Sequence, residues 1–251
     1  MSRHPKPPKR ETADSGEVLP PAALEAQALE KDYGDAPALH PLTLRIETGQ
    51  RVALLGHNGS GKTTFLRMAA GLLDPSNGSV TIATHDPTSL EARAMVSYLA
   101  DTPTFYDDLS VWEHLEYVAR MHGITEWEQH AADLLDHLGI YQRADDLPQR
   151  FSRGLKQKAA IAIAFIRPFD ILLVDEPFVG LDSPGKEALL ALFDQAANDG
   201  ATLVVATHEL SFVNKVDRII ALRDGILIHD GPVGDTDVEA LVRHDAAGTA
   251  E

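Results

Sequence analysis

The nine residues from Gly56 to Thr64, GHNGSGKTT, have the composition and spacing of a loop that binds phosphate groups. An apolar run at 52–55 precedes them and a helix-like segment begins at Phe65, which is the strand and helix context that this pattern requires. Glycines let the backbone turn successive N–H groups toward an anion, and the N-terminus of the following helix adds a partial positive charge. An ordinary glycine-rich turn is the alternative, and the flanking strand and helix favour the phosphate loop.

Two side chains of this loop add specific chemistry. Lys62 is placed to reach the β- and γ-phosphates of a nucleoside triphosphate, and the hydroxyl of Thr63 is placed to ligate Mg²⁺. We therefore predict a site for a nucleoside triphosphate and Mg²⁺. The loop residues predicted to contact the nucleotide are Gly56, Asn58, Gly59, Ser60, Gly61, Lys62, Thr63 and Thr64.

A pair of carboxylates, Asp175 and Glu176, directly follows the apolar run 171–174. Ligands gather at the carboxyl ends of parallel strands, where one acid can hold Mg²⁺ and a second can orient or deprotonate water. This division assigns Asp175 to the metal and Glu176 to the water. The two acids could instead cap the next helix, but Pro177 directly after them makes a simple helix start less convincing.

Ser152 and Gly154 begin another helical stretch, whose apolar part runs to Ile166. A helix N-terminus with a serine and a glycine can bind an anion by the same physics as the phosphate loop. Alone, this stretch could equally be an ordinary serine N-cap with basic neighbours. Its place one helix before the acidic strand end singles it out.

The phosphate loop, the acidic pair and the serine-glycine helix start must be positioned by a sheet, and the apolar patterns of the sequence predict one. The runs 171–174 and 202–206 are continuous, as in central parallel strands that are buried on both faces. Residues 24–47 predict two strands around an irregular segment, and 218–222 with 226–229 predict a final hairpin. We predict an α/β fold: a P-loop NTPase core with a mostly parallel sheet, an N-terminal antiparallel β region and an inserted α-helical subdomain.

The inserted subdomain is predicted at 104–167, where the sequence becomes helical. Residues 110–113 form a capping-box pattern, and residues 125–128 form a second capping-box pattern before another amphipathic helix. Both tryptophans are predicted to be packing residues. A further helix is predicted at 186–197 and a short strand at 79–82.

Three domain-level segments follow from composition. Residues 1–21 are rich in proline and charge and predict a disordered tail, 22–240 form the folded domain that contains the phosphate loop, and 241–251 are a C-terminal tail. The chain of 251 residues has no cysteine, which suits a reducing compartment, and no apolar run that approaches a membrane span. The net charge of −16 argues against a nucleic-acid partner, because a surface that binds phosphates needs Lys and Arg.

Tyr33 lies in the irregular segment between the first two strands. It could stack on a purine ring or cover apolar surface as a loop aromatic, and the spacing alone leaves both open.

Over about residues 24–235 the sequence resembles the ATP-binding subunit of an ABC transporter. The phosphate loop matches the Walker A motif, 151–158 match the signature motif usually written LSGGQ, and 171–176 match Walker B with its catalytic glutamate, Glu176. Residues 180–182 resemble the D-loop, and His208 resembles the switch histidine. Tyr33 falls where this family has its adenine-stacking aromatic, so the resemblance favours the stacking role.

The resemblance implies ATP and Mg²⁺ as ligands and a head-to-tail dimer with a second ATPase subunit, either a copy or a related chain. Ser152 and Gly154 of one subunit would close on the nucleotide of the other, Asp182 would reach across the interface, and His208 would contact the γ-phosphate. It also implies an integral membrane permease as partner, with the inserted helices beside the groove that receives it. The expected location is therefore the cytoplasmic face of a membrane.

Three positions in two motifs depart from the family pattern. Asp101 stands where the family has a glutamine that senses Mg²⁺ and water, and an ionised aspartate can ligate Mg²⁺ but cannot donate a hydrogen bond. In the signature, Arg153 replaces the first glycine and Leu155 the glutamine. The form SRGLKQ resembles the SKGMKQ variant of some bacterial exporter ATPases, which favours export.

Three alternatives remain at this point. A soluble ABC-type ATPase that acts on ribosomes or DNA usually carries two ATPase domains or long coiled coils, and the acidic charge disfavours it. A P-loop kinase of small molecules shares the phosphate loop but has no use for 151–158 or 180–182. A regulatory subunit with weak turnover is suggested only by Asp101.

Overall fold

The computed structural model describes residues 21–34, 36–234, 237–238 and 241. The predicted disordered tail therefore lies outside the described residues except for its last position, and so does nearly all of the predicted C-terminal tail. The strands are β1 (Leu24–Asp32), β2 (Pro37–Ile46), β3 (Arg51–Leu55), β4 (Asn77–Ile82), β5 (Val96–Leu99), β6 (Ile171–Asp175), β7 (Thr202–Ala206), β8 (Arg218–Arg223) and β9 (Ile226–Pro232). The α-helices are α1 (Lys62–Ala69), α2 (Leu90–Met95), α3 (Val111–Met121), α4 (Glu128–His137), α5 (Arg153–Phe165), α6 (Ser183–Asn198) and α7 (Leu210–Val213).

Six strands form the central sheet in the order β5-β6-β7-β3-β8-β9. Every neighbouring pair is parallel except β8 and β9, which form the predicted antiparallel hairpin. Because the first five strands in that order run the same way, their carboxyl ends share one edge of the sheet. This edge positions the functional residues.

The central strands are buried on both faces, and alternate residues enter two separate cores. In β6, Leu172 and Val174 pack with the helices on one face, while Ile171 and Leu173 pack against α1 and the second sheet on the other. Both faces exclude water, so these strands are apolar at every position rather than at every second one.

A smaller antiparallel sheet, in the order β2-β1-β4, covers α1 and its side of the core. With the mostly parallel central sheet and the helices inserted between β5 and β6, this arrangement confirms the predicted fold class. No helix among the described residues is long and apolar enough to cross a membrane.

The inserted helices confirm one predicted cap and correct another. Ser110 and Glu113 form the predicted capping box at the start of α3. The second capping box is wrong: α4 has Trp127 at its N-cap and no side-chain cap, so Glu128 is the first helical residue and cannot act from the third. Trp127 is buried against Trp112, with ring centroids 5.1 Å apart, and its packing sets where α4 begins.

Two further elements differ from the sequence expectation. Helix α6 begins at Ser183 rather than Lys186, because the side chain of Asp182 accepts a hydrogen bond from the backbone N–H of Gly185 and Pro184 fits the first turn. Helix α2 was not predicted; its six residues are too few for a clear period, although Ser89 caps it.

Candidate nucleotide site

Four segments that follow parallel strands meet at the carboxyl edge of the sheet. In spatial order they are Asp101 after β5, Asp175 and Glu176 at the end of β6, His208 after β7, and the phosphate loop after β3. Residues more than a hundred positions apart therefore become neighbours. The predicted strand-end chemistry depends on this topology.

The phosphate loop has the backbone that its glycines predict. Gly56, Gly59 and Gly61 have φ of +147°, +85° and +100°, in the region that favours glycine. At Gly56 there is also no room for a side chain, since a Cβ would lie 2.3 Å from the carbonyl oxygen of Leu222 in β8. The loop then enters α1 directly at Lys62, so the helix N-terminus faces the concave side of the loop.

Lys62 is buried inside this loop. Its ammonium group donates hydrogen bonds to the carbonyl oxygens of Gly56 and His57, at 2.7 and 3.1 Å, and lies 3.7 Å from a carboxylate oxygen of Glu176. Burial lowers the pKa of Lys62, and the nearby Glu176 and Asp175 oppose that shift. The lysine is thus held by the loop's own backbone with its charge at the base of the site.

Asp175 is 1% exposed. Its pKa is raised, first by burial, while the neighbouring hydroxyl of Thr63 and the charge of Lys62 oppose the shift. Within the described part of the chain, neither carboxylate oxygen of Asp175 has a well-formed hydrogen-bond partner. A buried acid with two unsatisfied oxygens beside a threonine hydroxyl fits a hard cation such as Mg²⁺. No group of three or more His, Cys, Asp or Glu side chains that could hold a metal occurs in the described ranges, so further ligands would come from phosphate or water oxygens.

Glu176 occupies a strained backbone position with φ of +45°, fixed by the hydrogen bond from its N–H to the carbonyl oxygen of Ala206. Its carboxylate lies between Lys62 and His208, with one oxygen 3.1 Å from Nδ1 of His208. Burial raises the pKa of Glu176, and Lys62 and His208 oppose the shift. A raised pKa brings a carboxylate closer to what a general base needs near neutral pH.

These groups line one cavity of about 630 Å³. Its lining includes the loop from Asn58 to Thr64 together with the strand-end residues Asp101, Asp175, Glu176 and His208. Arg153, from the first turn of α5, also lines it and places its guanidinium 3.5 Å from a carboxylate oxygen of Asp101. The structure therefore brings two of the three departures from the family pattern, Asp101 and Arg153, into the same cavity.

Five predicted ligand residues do not line this cavity: Gly56 at the start of the phosphate loop, and four residues outside that loop. Ser152 caps α5 by accepting a hydrogen bond from the N–H of Leu155, and Gly154 faces the D-loop, where a Cβ would lie 2.5 Å from the carbonyl oxygen of Gly180. Asp182 caps α6 and pairs with Lys158 at 2.9 Å, and this pairing lowers its pKa. Tyr33 is 61% exposed, with the ammonium of Lys31 5.2 Å from its ring centre.

Two features of the site are not evident from the sequence. The first is that Arg153, a departure from the signature pattern, lines the cavity. The turn of the β8–β9 hairpin supports the phosphate loop: Gly225 donates its N–H to the carbonyl oxygen of Ser60, and Asp224 lies 3.2 Å from Nε2 of His57. A turn sequence of Asp-Gly predicts a hairpin but not what the hairpin touches.

Comparison with known proteins shows the family to which the chain belongs. The family model described as "ABC transporter" matches residues 39–179. The chain belongs to the ABC transporter family. It is 33% identical over 210 residues to the SkfA peptide export ATP-binding protein SkfE of Bacillus subtilis (strain 168), covering 82% of this chain and 88% of that protein.

Two solved structures share the fold of this ABC ATPase. An ATP-binding subunit of an ABC transporter superposes with a TM-score of 0.79 at 30% identity, covering 85% of this chain and 91% of that one. A dimeric ATP-binding cassette in a post-hydrolysis state, bound to ADP and phosphate, superposes with a TM-score of 0.77 at 26% identity, covering 85% and 100%. The predicted family and its ATP-dependent hydrolase function are confirmed, while the roles of individual site residues and the domain boundaries stay predictions.

Proposed function

We propose that this ABC ATPase hydrolyses ATP in the 630 Å³ cavity and uses the resulting opening and closing of a dimer to drive a separate membrane permease. The observation that carries the proposal is the meeting of the phosphate loop, Asp175, Glu176 and His208 at one edge of the sheet. The loop supplies an anion site, and the strand ends supply the acids that hydrolysis of a phosphoanhydride needs.

The residues divide the work by position. Lys62 and the backbone N–H groups of the phosphate loop hold the β- and γ-phosphates. Lys62 now donates to two backbone carbonyl oxygens, and its hydrogen bonds become stronger when charged phosphate oxygens replace them. Glu176 accepts a proton from the attacking water, since its carboxylate lines the cavity and its pKa is raised by burial. His208, in contact with Glu176, orients that carboxylate and faces the γ-phosphate.

Asp175 and Thr63 would hold Mg²⁺, as the unsatisfied oxygens of the buried acid support. When bound, this ion neutralises charge on the β- and γ-phosphates. Asp101 lines the same cavity and is the third proposed ligand, in the position of the family's glutamine.

A second subunit completes the site. Ser152 and Gly154 lie at an exposed helix N-terminus outside their own chain's cavity, which supports a role on the nucleotide of a partner. Asp182 lies on the same side, one loop away. ATP bound between two subunits stabilises the closed dimer by linkage, and hydrolysis removes that bridge.

A second cavity, of about 670 Å³, supports the permease partnership. It lies between the core and the inserted helices, from Arg67 and Leu72 on one side to Thr104, Phe105 and Val118 on the other. We propose that a helix of the permease occupies it, which places the ATPase on the cytoplasmic face of the membrane. Export is the proposed direction, supported by the signature variant and by the similarity to a protein named for peptide export.

The testing experiment measures ATP hydrolysis by the purified chain and then recovers the tagged chain from its own membranes. Phosphate should be released in step with ADP without any phosphorylated acceptor, and an integral membrane protein should co-purify in fixed proportion. Phosphate transfer to a small-molecule acceptor would contradict the ATPase assignment. Recovery of an active chain from its membranes with no integral membrane protein bound to it would contradict the permease assignment.

A further inference from the structure

Asp101 and Arg153 are the two charged residues of the cavity at positions where the family pattern has uncharged ones, and they contact each other. Their nearest side-chain atoms are 3.5 Å apart, and the side chains are 43% and 64% exposed. They come from loops that are far apart in the chain, one after β5 and one at the start of α5. An ion pair at this exposure contributes little to the free energy of unfolding. Because both side chains line the cavity, their charges instead affect the electrostatics of the site.

Without Arg153 the cavity would be strongly acidic for a site that binds an anion. Its lining has three carboxylates, Asp101, Asp175 and Glu176, and the fixed positive charges are Lys62 and Arg153. Asp101 is close enough to act on the other two acids, since its charge contributes to raising the pKa of both. With glutamine at 101 and glycine at 153, the sum of the fixed charges would be the same as it is now.

The aliphatic part of the Arg153 side chain lies beside Gly180 of the D-loop. A Cβ built on Gly180 would lie 3.3 Å from Cγ and 3.4 Å from Cδ of Arg153, so the aliphatic stem lies across the space that Gly180 leaves open. From this support the guanidinium reaches into the cavity that also contains Lys62 and the phosphate loop. Arginine suits such a place, because it stays charged and can pair with carboxylate or phosphate oxygens.

We propose that Arg153 belongs to the nucleotide pocket of its own subunit, where it compensates the negative charge that Asp101 adds, so that the cavity remains able to bind a triphosphate. This inference rests on the proposed nucleotide site. It assigns Arg153 a role within one chain, in addition to any contact that the signature helix makes with a partner's nucleotide. Arg153 is a positioning and charge-compensating residue, and it takes no proton in the reaction.

The test measures binding of a fluorescent ATP analogue, N-methylanthraniloyl-ATP, to the full chain in EDTA and low salt. EDTA separates the charge effect from any role of Asp101 as a metal ligand. Arg153→Gly should weaken binding about fivefold, Asp101→Gln should strengthen it about fivefold, and the double variant should return to within about twofold of the unaltered chain. At 0.5 M salt these differences should shrink to less than about twofold, because exposed charges are screened over a few ångströms.

The pair Arg143 and Asp146 provides a matched control. These side chains are 3.0 Å apart and 58% and 46% exposed, but they lie outside the cavity lining. The variants Arg143→Gly and Asp146→Gln should leave analogue binding unchanged, separately and together. An equal effect from this pair would show that any surface charge has the same influence and would overturn the proposal.

Other outcomes also decide the matter. The proposal is overturned if the two single variants shift affinity in the same direction, or if neither shifts it while the unaltered chain binds. Arg153→Gly could also weaken binding only at protein concentrations at which light scattering detects a dimer. Arg153 would then act on the partner's nucleotide, and the proposal would be overturned. A chain that binds no analogue at all would instead overturn the proposed nucleotide site on which this inference rests.

Discussion

The phosphate-loop edge and the signature helix of this ABC ATPase are both proposed to bind phosphate, yet their surroundings differ. At the phosphate-loop edge, Lys62 and Asp175 are buried and lie within one cavity with Glu176. At the signature, Ser152 is exposed and caps its own helix, and Asp182 is occupied as the cap of α6 and by Lys158.

This difference shows which half of the proposed site is preorganised in one chain. In the buried half, acids are held at a cost in desolvation: burial raises the pKa of Asp175 and Glu176, as expected where a cation and a polyanion are to be bound. In the exposed half, Ser152 and Asp182 already have hydrogen-bond and ion-pair partners within the chain. An incomplete but stable surface is what a subunit needs if its partner supplies the other half.

The largest effect should come from Glu176→Gln at the buried half. The amide keeps the shape of the side chain but cannot accept the proton from water, so the ATP turnover rate should fall about 100- to 1,000-fold with nucleotide affinity nearly unchanged. Single-turnover hydrolysis and analogue binding measure the two quantities. The exposed Glu187→Gln in α6 is the control, and normal turnover by Glu176→Gln would show that another group is the base.

Lys62→Ala should weaken ATP binding about 10- to 100-fold, because it removes the buried cation that the loop backbone directs to the site. Lys156→Ala in the signature helix is the matched change on the other half. It should leave binding to the single chain unaltered in the same titration. Equal losses from both lysines would erase the distinction between the two halves.

The two halves should also respond oppositely to pH. Glu176 must be ionised to act as a base, so turnover should fall as the pH decreases through its raised pKa, by about tenfold per unit below it. The raised pKa values of Asp175 and Glu176 mean that the folded state holds these protons more tightly than the unfolded chain does. Their contribution to the free energy of unfolding therefore increases as the pH falls from above the raised values toward the ordinary carboxyl range.

Asp182 has the opposite sign, since pairing with Lys158 lowers its pKa. Its stabilisation is present above the ordinary aspartate pKa and is lost as the pH falls through the lowered one. Thermal unfolding of the nucleotide-free chain across the acid range, with Glu176→Gln and Asp182→Asn as comparisons, separates the two contributions. Identical pH profiles for both variants would contradict the assigned signs.

The smallest effect is expected from removing the cap of α6. Asp182→Ala deletes the hydrogen bond from the N–H of Gly185 and should lower the unfolding midpoint by a few degrees, about what the loss of one N-cap causes in a domain of this size. Asp182→Asn keeps an N-cap acceptor and should lose less. Calorimetry without nucleotide provides the measurement, and a larger loss from Asn than from Ala would refute the capping role.

Much of the fold and of the candidate site could be predicted from local sequence patterns. A few residues suffice to specify the apolar strand β6, the turns of the phosphate loop at its glycines, and the capping box at Ser110. The parallel order of strands then places Asp175, Glu176 and His208 together.

What the sequence could not supply depends on tertiary contacts. The start of α4 is set by burial of Trp127 against Trp112, which overrides a capping pattern that is valid on local grounds. The contact between Asp101 and Arg153 joins positions on different elements, and no spacing rule connects them. The support of the phosphate loop by Gly225 is of the same kind, because it depends on where β8 lies beside β3.

The central claim, that each nucleotide is held by the phosphate loop of one chain and the signature of another, is tested most directly by mixing two inactive variants. Lys62→Ala disables the phosphate loop, and Ser152→Asp places a negative charge at the signature while keeping a good helix cap. In a head-to-tail dimer of one chain of each kind, one of the two sites is intact. The mixture should therefore recover about a quarter of the unaltered ATPase rate if subunits exchange at random. No recovery, in a mixture shown to contain mixed dimers, would contradict the shared site.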